Sequence, residues 1–322
     1  MQYRPLGRSG IDVSAIGFGA WGIGGRTPGA TSYGETDDAV SMRALEEAFE
    51  RGITFYDTAS VYGDGHSEEL IGLCFSGRRD RVVIATKAGI QPSFKGYDFS
   101  ERAIRESLEG SLRRLRTDYV DVLQLHNVTP DTVLTQPHIG EVLNGLAREG
   151  KVRAYGFSTV SPGDAIALLD FPHACCLQVN FNLLDWRGVD SGLFARAEAS
   201  EVGIIARTPL AFGFLTGRFD ETVTFPADDH RSRWSSERIA AWVESGAAIF
   251  AELELPDGEE PRVSAALRFC LSQTAVTTVI PGMMTPGEVR ANVAALEAGP
   301  LDRAQLGRIE RIYRAYQARL GG

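Results

Sequence analysis

The chain has 322 residues, room for one large domain or two ordinary ones, and its 43% hydrophobic and 23% charged composition is that of a globular protein with a sizeable core, which excludes general disorder. A formal net charge of -9 and a pI near 5.2 argue against nucleic acid as a partner, because binding a phosphate backbone relies on clustered Lys and Arg. The start MQYRPLGRSGIDVS lacks the basic and apolar regions of a signal peptide, and no apolar run is long enough to span a bilayer, so the expectation is a cytoplasmic protein without a membrane partner.

In chain order, a hairpin is expected from Tyr3 to Val13 around the turn Arg8-Ser9-Gly10. Short β-type runs then alternate with amphipathic segments: SAIGF, ITFYD, RVVIATK, YVDVLQLH, VRAYGFS, ACCLQVN, VGIIAR and TTVIP. Helices are expected between them at Asp37 to Arg51, Ser67 to Phe75, Ser100 to Arg114, Ile139 to Glu149, Pro162 to Leu169, Gly192 to Ala199 and Glu237 to Ser272, then at Pro286 to Leu296 and near Leu301 to Leu320. Eight evenly spaced β/α units without a Pro/Gly/Ser-rich linker predict one (β/α)8 TIM barrel, a single domain over residues 1–322 with an N-terminal β-hairpin and an extra C-terminal helix. The irregular stretch Phe219 to Trp234, containing FPADDHRSRW, reads as a functional loop.

Gly17, Gly19 and Gly22 spell GxGxxG after a plausible strand, but the chain continues GIGGRTPGATSYGE, which cannot start a helix promptly as the dinucleotide fingerprint requires. A barrel-mouth loop is the better reading, with Trp21 as an aromatic wall for substrate. Cys74, Cys175, Cys176 and Cys270 form no CxxC pair and no zinc-like spacing, so no metal is expected and they are assigned to packing.

In a β/α barrel, chemistry sits at the C-terminal ends of the strands. There the second expected strand carries Asp57, the third Lys87 and the fourth His126, with Tyr62 in the loop after the second. Alone, Asp57 reads as a turn carboxylate and Lys87 as a surface cation; on neighbouring strands they can pair beside Tyr62. An ordinary tyrosine with a pKa near 10 is a sluggish proton donor at neutral pH, and a nearby cation lowers that value. Tyr62 is therefore the candidate general acid and His126 a candidate for orienting a carbonyl.

The segments FYDTASVYG, IATK and LQLHN closely resemble the catalytic segments of the aldo-keto reductase family, and the resemblance runs from RPLGRSGIDVSAIGFGAWGIGG through YGFST, QVNFN and PLAFGFLTGR to VIPG and Asn292. It implies an NAD(P)H-dependent reduction of a carbonyl in which Tyr62 is the acid/base, Asp57 and Lys87 tune it, and His126 orients the substrate. It further implies that Ser158 and Gln178 hold the nicotinamide carboxamide with Asn180 nearby, that Thr159 stands where some members have asparagine, and that Arg207 replaces an aromatic stacking residue. Pro209, Leu210, Gly213 and Arg218 fall in the family's pyrophosphate loop, and Pro281, Gly282 and Asn292 at the adenosine end. Family precedent favours NADP(H), whereas Gly282 and Glu288 in place of cations favour NAD(H). Phe94 and Arg231 join Trp21 as substrate candidates, and a small-molecule carbonyl or alcohol is the expected partner. Within the same resemblance stand two alternatives, a sugar or sugar-nucleotide reductase and a non-catalytic nicotinamide-binding sensor like the potassium-channel β subunits; the intact Asp57, Tyr62, Lys87 and His126 favour an enzyme.

Overall fold

The computed structural model describes residues 1–320; the last two residues of the expected domain, 321 and 322, lie outside the described residues. All eight expected barrel strands form: β3 (Phe18–Gly19), β4 (Phe55–Asp57), β5 (Val83–Ala88), β6 (Val120–Leu125), β7 (Val152–Ser158), β8 (Ala174–Asn180), β9 (Gly203–Arg207) and β10 (Val276–Ile280). They pair in parallel in the order β10-β9-β8-β7-β6-β5-β4-β3. The ring closes where Ile16 bridges Val279 and Gly19 bridges Gly282. Ahead of it, β1 (Tyr3–Pro5) and β2 (Asp12–Ser14) make the expected hairpin, turned by Gly10 at φ 71°.

The glycines that imitate a dinucleotide fingerprint belong to this seam. A Cβ on Gly19 would lie 2.7 Å from the Ile280 carbonyl oxygen and 2.8 Å from that of Pro281, and one on Gly17 would lie 2.8 Å from the Phe55 ring. Backbone at Gly19 cannot give way without opening the ring. Gly19→Ala is therefore expected to cost about 1–3 kcal/mol, read as a lower urea midpoint; an unchanged midpoint would show that the seam yields freely.

The outer helices are α1 (Asp38–Glu50), α2 (His66–Cys74), α3 (Glu101–Leu115), α5 (His138–Arg148), α6 (Pro162–Leu168), α8 (Leu193–Ala199), α10 (Glu259–Leu271) and α11 (Pro286–Ala294), with α12 (Arg303–Leu320) at the C-terminal end. Several starts are capped by side chains, as in α1, where Asp37 accepts from the Val40 amide, and α3, where Ser100 accepts from that of Ala103. Sequence patterning missed the short α4 (Pro130–Thr135) and α7 (Arg187–Asp190). It also ran Glu237 to Ser272 together; the chain in fact forms α9 (Ser236–Glu252) and α10, broken across Leu255-Pro256-Asp257-Gly258, where proline and a glycine at φ 123° interrupt the helix. Helix α9 stands outside the β/α repeat beside α12, to which Arg311 links through Glu252. Among the described residues no helix is long and apolar enough to cross a membrane.

Period-two alternation along the strands decides what the barrel encloses. Outward residues Tyr56, Ile84, Leu123, Tyr155, Leu177 and Ile204 join the large core under the helices. Inward residues Phe55, Ala85, Val122, Ala154, Cys176 and Ile205 form a second cluster, plugged from below by Leu6, Ile11 and Val13 of the hairpin segment. All four cysteines are buried and free.

Candidate active site

Two residues further along the same inward faces, the apolar layer gives way to Asp57, Lys87, Gln124, Gln178 and Arg207. Burial here demands partners, and they are present except at Gln124 Oε1, which has none among the described residues. Lys87, 1% exposed, donates from Nζ to Asp57 Oδ1 at 2.5 Å, to the Thr58 carbonyl oxygen at 2.8 Å and to the Tyr62 hydroxyl oxygen at 3.3 Å. Those three acceptors match the three hydrogens of an ammonium. The other Asp57 oxygen accepts from Gln178 Nε2 at 2.7 Å and from Gln124 Nε2 at 3.1 Å. Burial opposes the Lys87 charge, but Asp57 and Tyr62 outweigh it and hold the ammonium above its ordinary range.

Because Lys87 donates to Tyr62, the phenol oxygen acts as acceptor there and its own hydrogen is free to point elsewhere. Tyr62 is half-buried at the start of a short turn after β4, with the His126 ring edge-on and 5.9 Å away. His126 is held by its backbone amide, which donates to the Ala88 carbonyl oxygen at 2.9 Å. Burial first, then the Lys87 and Arg207 charges, push its pKa well below the ordinary histidine range, so the imidazole is neutral at physiological pH.

Beside this group Arg207 gathers three of the expected positions and one further residue. Its Nε donates to Asn180 Oδ1 at 2.8 Å, Nη1 to Ser158 Oγ at 2.9 Å and to Asn127 Oδ1 at 3.0 Å, and Nη2 to the Thr159 carbonyl oxygen at 2.9 Å. Its guanidinium is thereby fixed as a plane over the mouth. Gln178 spends a donor on Asp57 and keeps Oε1 for another group. Asn127 and Gln124 were not singled out from sequence; the signal was their place in LQLHN, one residue and two residues from the strand-end histidine, and Asn127 also takes φ 51°, which asparagine tolerates.

The loop carrying Pro209, Leu210 and Gly213 continues as a turn with positive φ at Thr208 (55°), Ala211 (46°), Phe212 (56°) and Gly213 (95°). So many left-handed residues in succession are costly and mark a backbone shaped for a site. Arg218 leaves this loop toward Glu259, with Nε 3.0 Å from Oε2 and Nη2 2.9 Å from Oε1, and lies 3.8 Å from Glu288. Glu288 also closes a capping box on α11, accepting from the Met284 and Thr285 amides at 2.8 and 3.1 Å. Pro281 is buried at the seam, Gly282 is exposed with open space where a Cβ would project, and Asn292 is 2% exposed with its Nδ2 unpartnered. Arg290 is 3.5 Å from Glu47.

Among the substrate candidates, Trp21 lies 6.3 Å from the Tyr62 ring and Phe94 packs with Tyr62 on the small cluster of Ala59, Val61 and Ile90. Arg231 turns inward: it grips Asp229 and donates Nη1 to the Phe212 carbonyl oxygen at 3.0 Å. Tyr33, Phe212 and His230, none of them anticipated, complete an aromatic wall against Trp21 at centroid separations of 4.9, 6.4 and 4.7 Å. Among the described residues no group of three or more His, Cys, Asp or Glu is placed to hold a metal ion.

The family model for the aldo/keto reductase family matches residues 15–314. Aldo-keto reductase YhdN of Bacillus subtilis is 30% identical over 298 residues, which cover 90% of this chain and 87% of that protein. The NADH-specific methylglyoxal reductase of Escherichia coli is 28% identical over 92% of this chain and 94% of its own length. The holo form of an aldo-keto reductase from Bacillus halodurans superposes with a TM-score of 0.79 at 29% identity, covering 97% of this chain and 96% of that one. Since the match runs almost from end to end and the barrel agrees with it, this chain belongs to the aldo/keto reductase family and is an NAD(P)-dependent carbonyl oxidoreductase.

Proposed function

We propose that Tyr62 is the proton donor in reduction of a small carbonyl compound, and that the observation carrying this is the complete donor set of Lys87: with all three ammonium hydrogens assigned, the Tyr62 O–H is left to donate to a carbonyl oxygen. As that proton leaves, the ammonium 3.3 Å away stabilises the phenolate, while Asp57, fixed by two amides, keeps Lys87 charged and in place. Neutral His126 donates a second hydrogen bond to the same carbonyl oxygen and turns its carbon toward the cofactor. A bound reduced nicotinamide supplies the hydride that the carbonyl carbon receives.

The residues fit that cofactor. Ser158 and Gln178 Oε1 are placed for the carboxamide, Arg207 presents a flat guanidinium, the strained loop at Pro209, Leu210 and Gly213 offers backbone amides for pyrophosphate, and the unpartnered Asn292 Nδ2 suits an adenine nitrogen. We read the preference as NADH. Arg218 and Arg290 are each engaged by carboxylates, so a 2′-phosphate would have to compete with Glu259, Glu288 and Glu47. Glu259→Gln, which releases Arg218, is expected to tighten NADPH binding several-fold and leave NADH binding unchanged, as read by fluorescence titration; equal change for both would remove Arg218 from the argument. The four free, buried cysteines support a reducing compartment, and we place the protein in the cytoplasm.

The test is to follow nicotinamide absorbance with NADH or NADPH and a panel of aldehydes, ketones and sugars. Consumption that requires Tyr62 supports the reading. Tight cofactor binding with no consumption on any substrate would favour a sensor.

A further inference from the structure

Two loops meet over the barrel mouth and set one histidine apart. Ser32 bridges Asp229, the His230 amide donates to the Ser32 carbonyl oxygen at 2.9 Å, Arg26 faces Asp228 at 3.5 Å, and Arg233 reaches the Gly29 carbonyl. This joint holds the His230 ring among four aromatic rings, 4.7 Å from Trp21, 5.0 Å from Tyr33, 5.2 Å from Phe212 and 5.5 Å from Trp234. Its Nε2 is buried and has no hydrogen-bond partner. No polar atom of these rings pairs with it, and a buried polar nitrogen left unpaired is costly unless a ligand completes it.

The chemistry of the missing partner follows from what surrounds the ring. Burial pushes His230 down to about 4, so the imidazole is neutral and carries one N–H and one acceptor nitrogen. The cations nearby are occupied: Arg231 is spent on Asp229 and the Phe212 carbonyl, and Arg238 lies over the Trp234 and Trp242 rings. A neutral donor/acceptor among rings suits a hydroxyl better than a phosphate or carboxylate. Position gives the rest. Trp21 is shared between His230 and Tyr62, one ring 4.7 Å and the other 6.3 Å from it, so a carbonyl seated at Tyr62 reaches His230 along the indole only if the molecule extends several atoms beyond its carbonyl carbon.

We propose that His230 is a specificity-determining residue that hydrogen-bonds a hydroxyl of a short hydroxyaldehyde or aldose-like substrate, distal to the carbonyl. This rests on Tyr62 marking the reacting end.

The experiment compares kcat/KM for D-erythrose and for butanal, which share four carbons and differ in hydroxyls, in wild type, His230→Phe and His230→Gln. Phenylalanine keeps the ring in its box and removes the nitrogen. His230→Phe is expected to lower kcat/KM for D-erythrose about tenfold and leave butanal unchanged, and the glutamine amide to restore most of the loss. Equal losses on both aldehydes, or no loss on D-erythrose, would overturn the assignment. A second readout needs no turnover: in protein labelled with 15N-histidine, erythritol should move the Nε2 resonance that is missing in His230→Phe, and 1-butanol should not. If neither aldehyde is reduced but erythritol moves that resonance, the His230 site stands and the catalytic reading of Tyr62 falls; no movement overturns the His230 site.

Discussion

Tyr62→Phe is expected to lower kcat by roughly 10²- to 10⁴-fold while leaving the affinity for nicotinamide cofactor unchanged. The substitution deletes one oxygen from a half-buried ring that packs on the cluster of Ala59, Val61 and Ile90, so the fold is not at risk. What disappears is the hydroxyl that accepts from the Lys87 ammonium, and with it the group whose hydrogen is free for a carbonyl oxygen. Because the phenol contributes most when a proton is in flight, the loss falls on kcat and kcat/KM together and KM moves little. Single-turnover measurements with saturating cofactor make the distinction. Full activity in Tyr62→Phe would assign the proton to another group.

Lys87→Met should cost stability and turnover at once. The ammonium is 1% exposed and pairs with an Asp57 that is 2% exposed, and removing one partner of a buried ion pair typically costs about 3–5 kcal/mol because the other charge is stranded. Gln124 and Gln178 still donate to Asp57 in the variant, which points to the lower end of that range. Lys87→Arg should fail to rescue turnover, since a planar guanidinium cannot address Asp57, Thr58 and Tyr62 from one nitrogen. The sign of the pH dependence is defined. The folded Lys87 pKa lies above its ordinary 10.5, so its contribution is fully present below pH 10.5 and is lost only as pH rises through the folded value. Urea midpoints of wild type and Lys87→Met should therefore stay a constant distance apart through neutral pH and converge only in strong alkali. Convergence already near neutrality would mean that the pair is not intact there.

Asp57 and Lys87 sit at strand ends for a reason visible in one dimension. A strand whose inward positions read apolar and then polar, as Phe55 then Asp57 and Ala85 then Lys87, turns from core to mouth at that point. His230 has no such marker. It lies in an irregular stretch where Arg231, the more conspicuous residue, attracts a binding role, yet Arg231 faces Asp229 and the quieter neighbour faces the aromatic box.

Local pattern alone determined the eight alternating units, their order around the barrel, the hairpin ahead of them, and the strand-end positions of Asp57, Lys87 and His126, because hydrophobic periodicity and turn chemistry are properties of neighbouring residues. The failure of GxGxxG as a fingerprint was legible for the same reason: only a single 3-10 turn, Gly22–Gly24, forms there, and the first α-helix starts at Asp38. Tertiary structure decided the rest. Only the closed ring brings Gln124 and Gln178 onto one carboxylate oxygen, and only the meeting of two loops far apart in the chain leaves His230 Nε2 without a partner. Those outcomes depend on which polar atoms are already satisfied when distant segments pack, and hydrogen-bond satisfaction is a property of the whole fold.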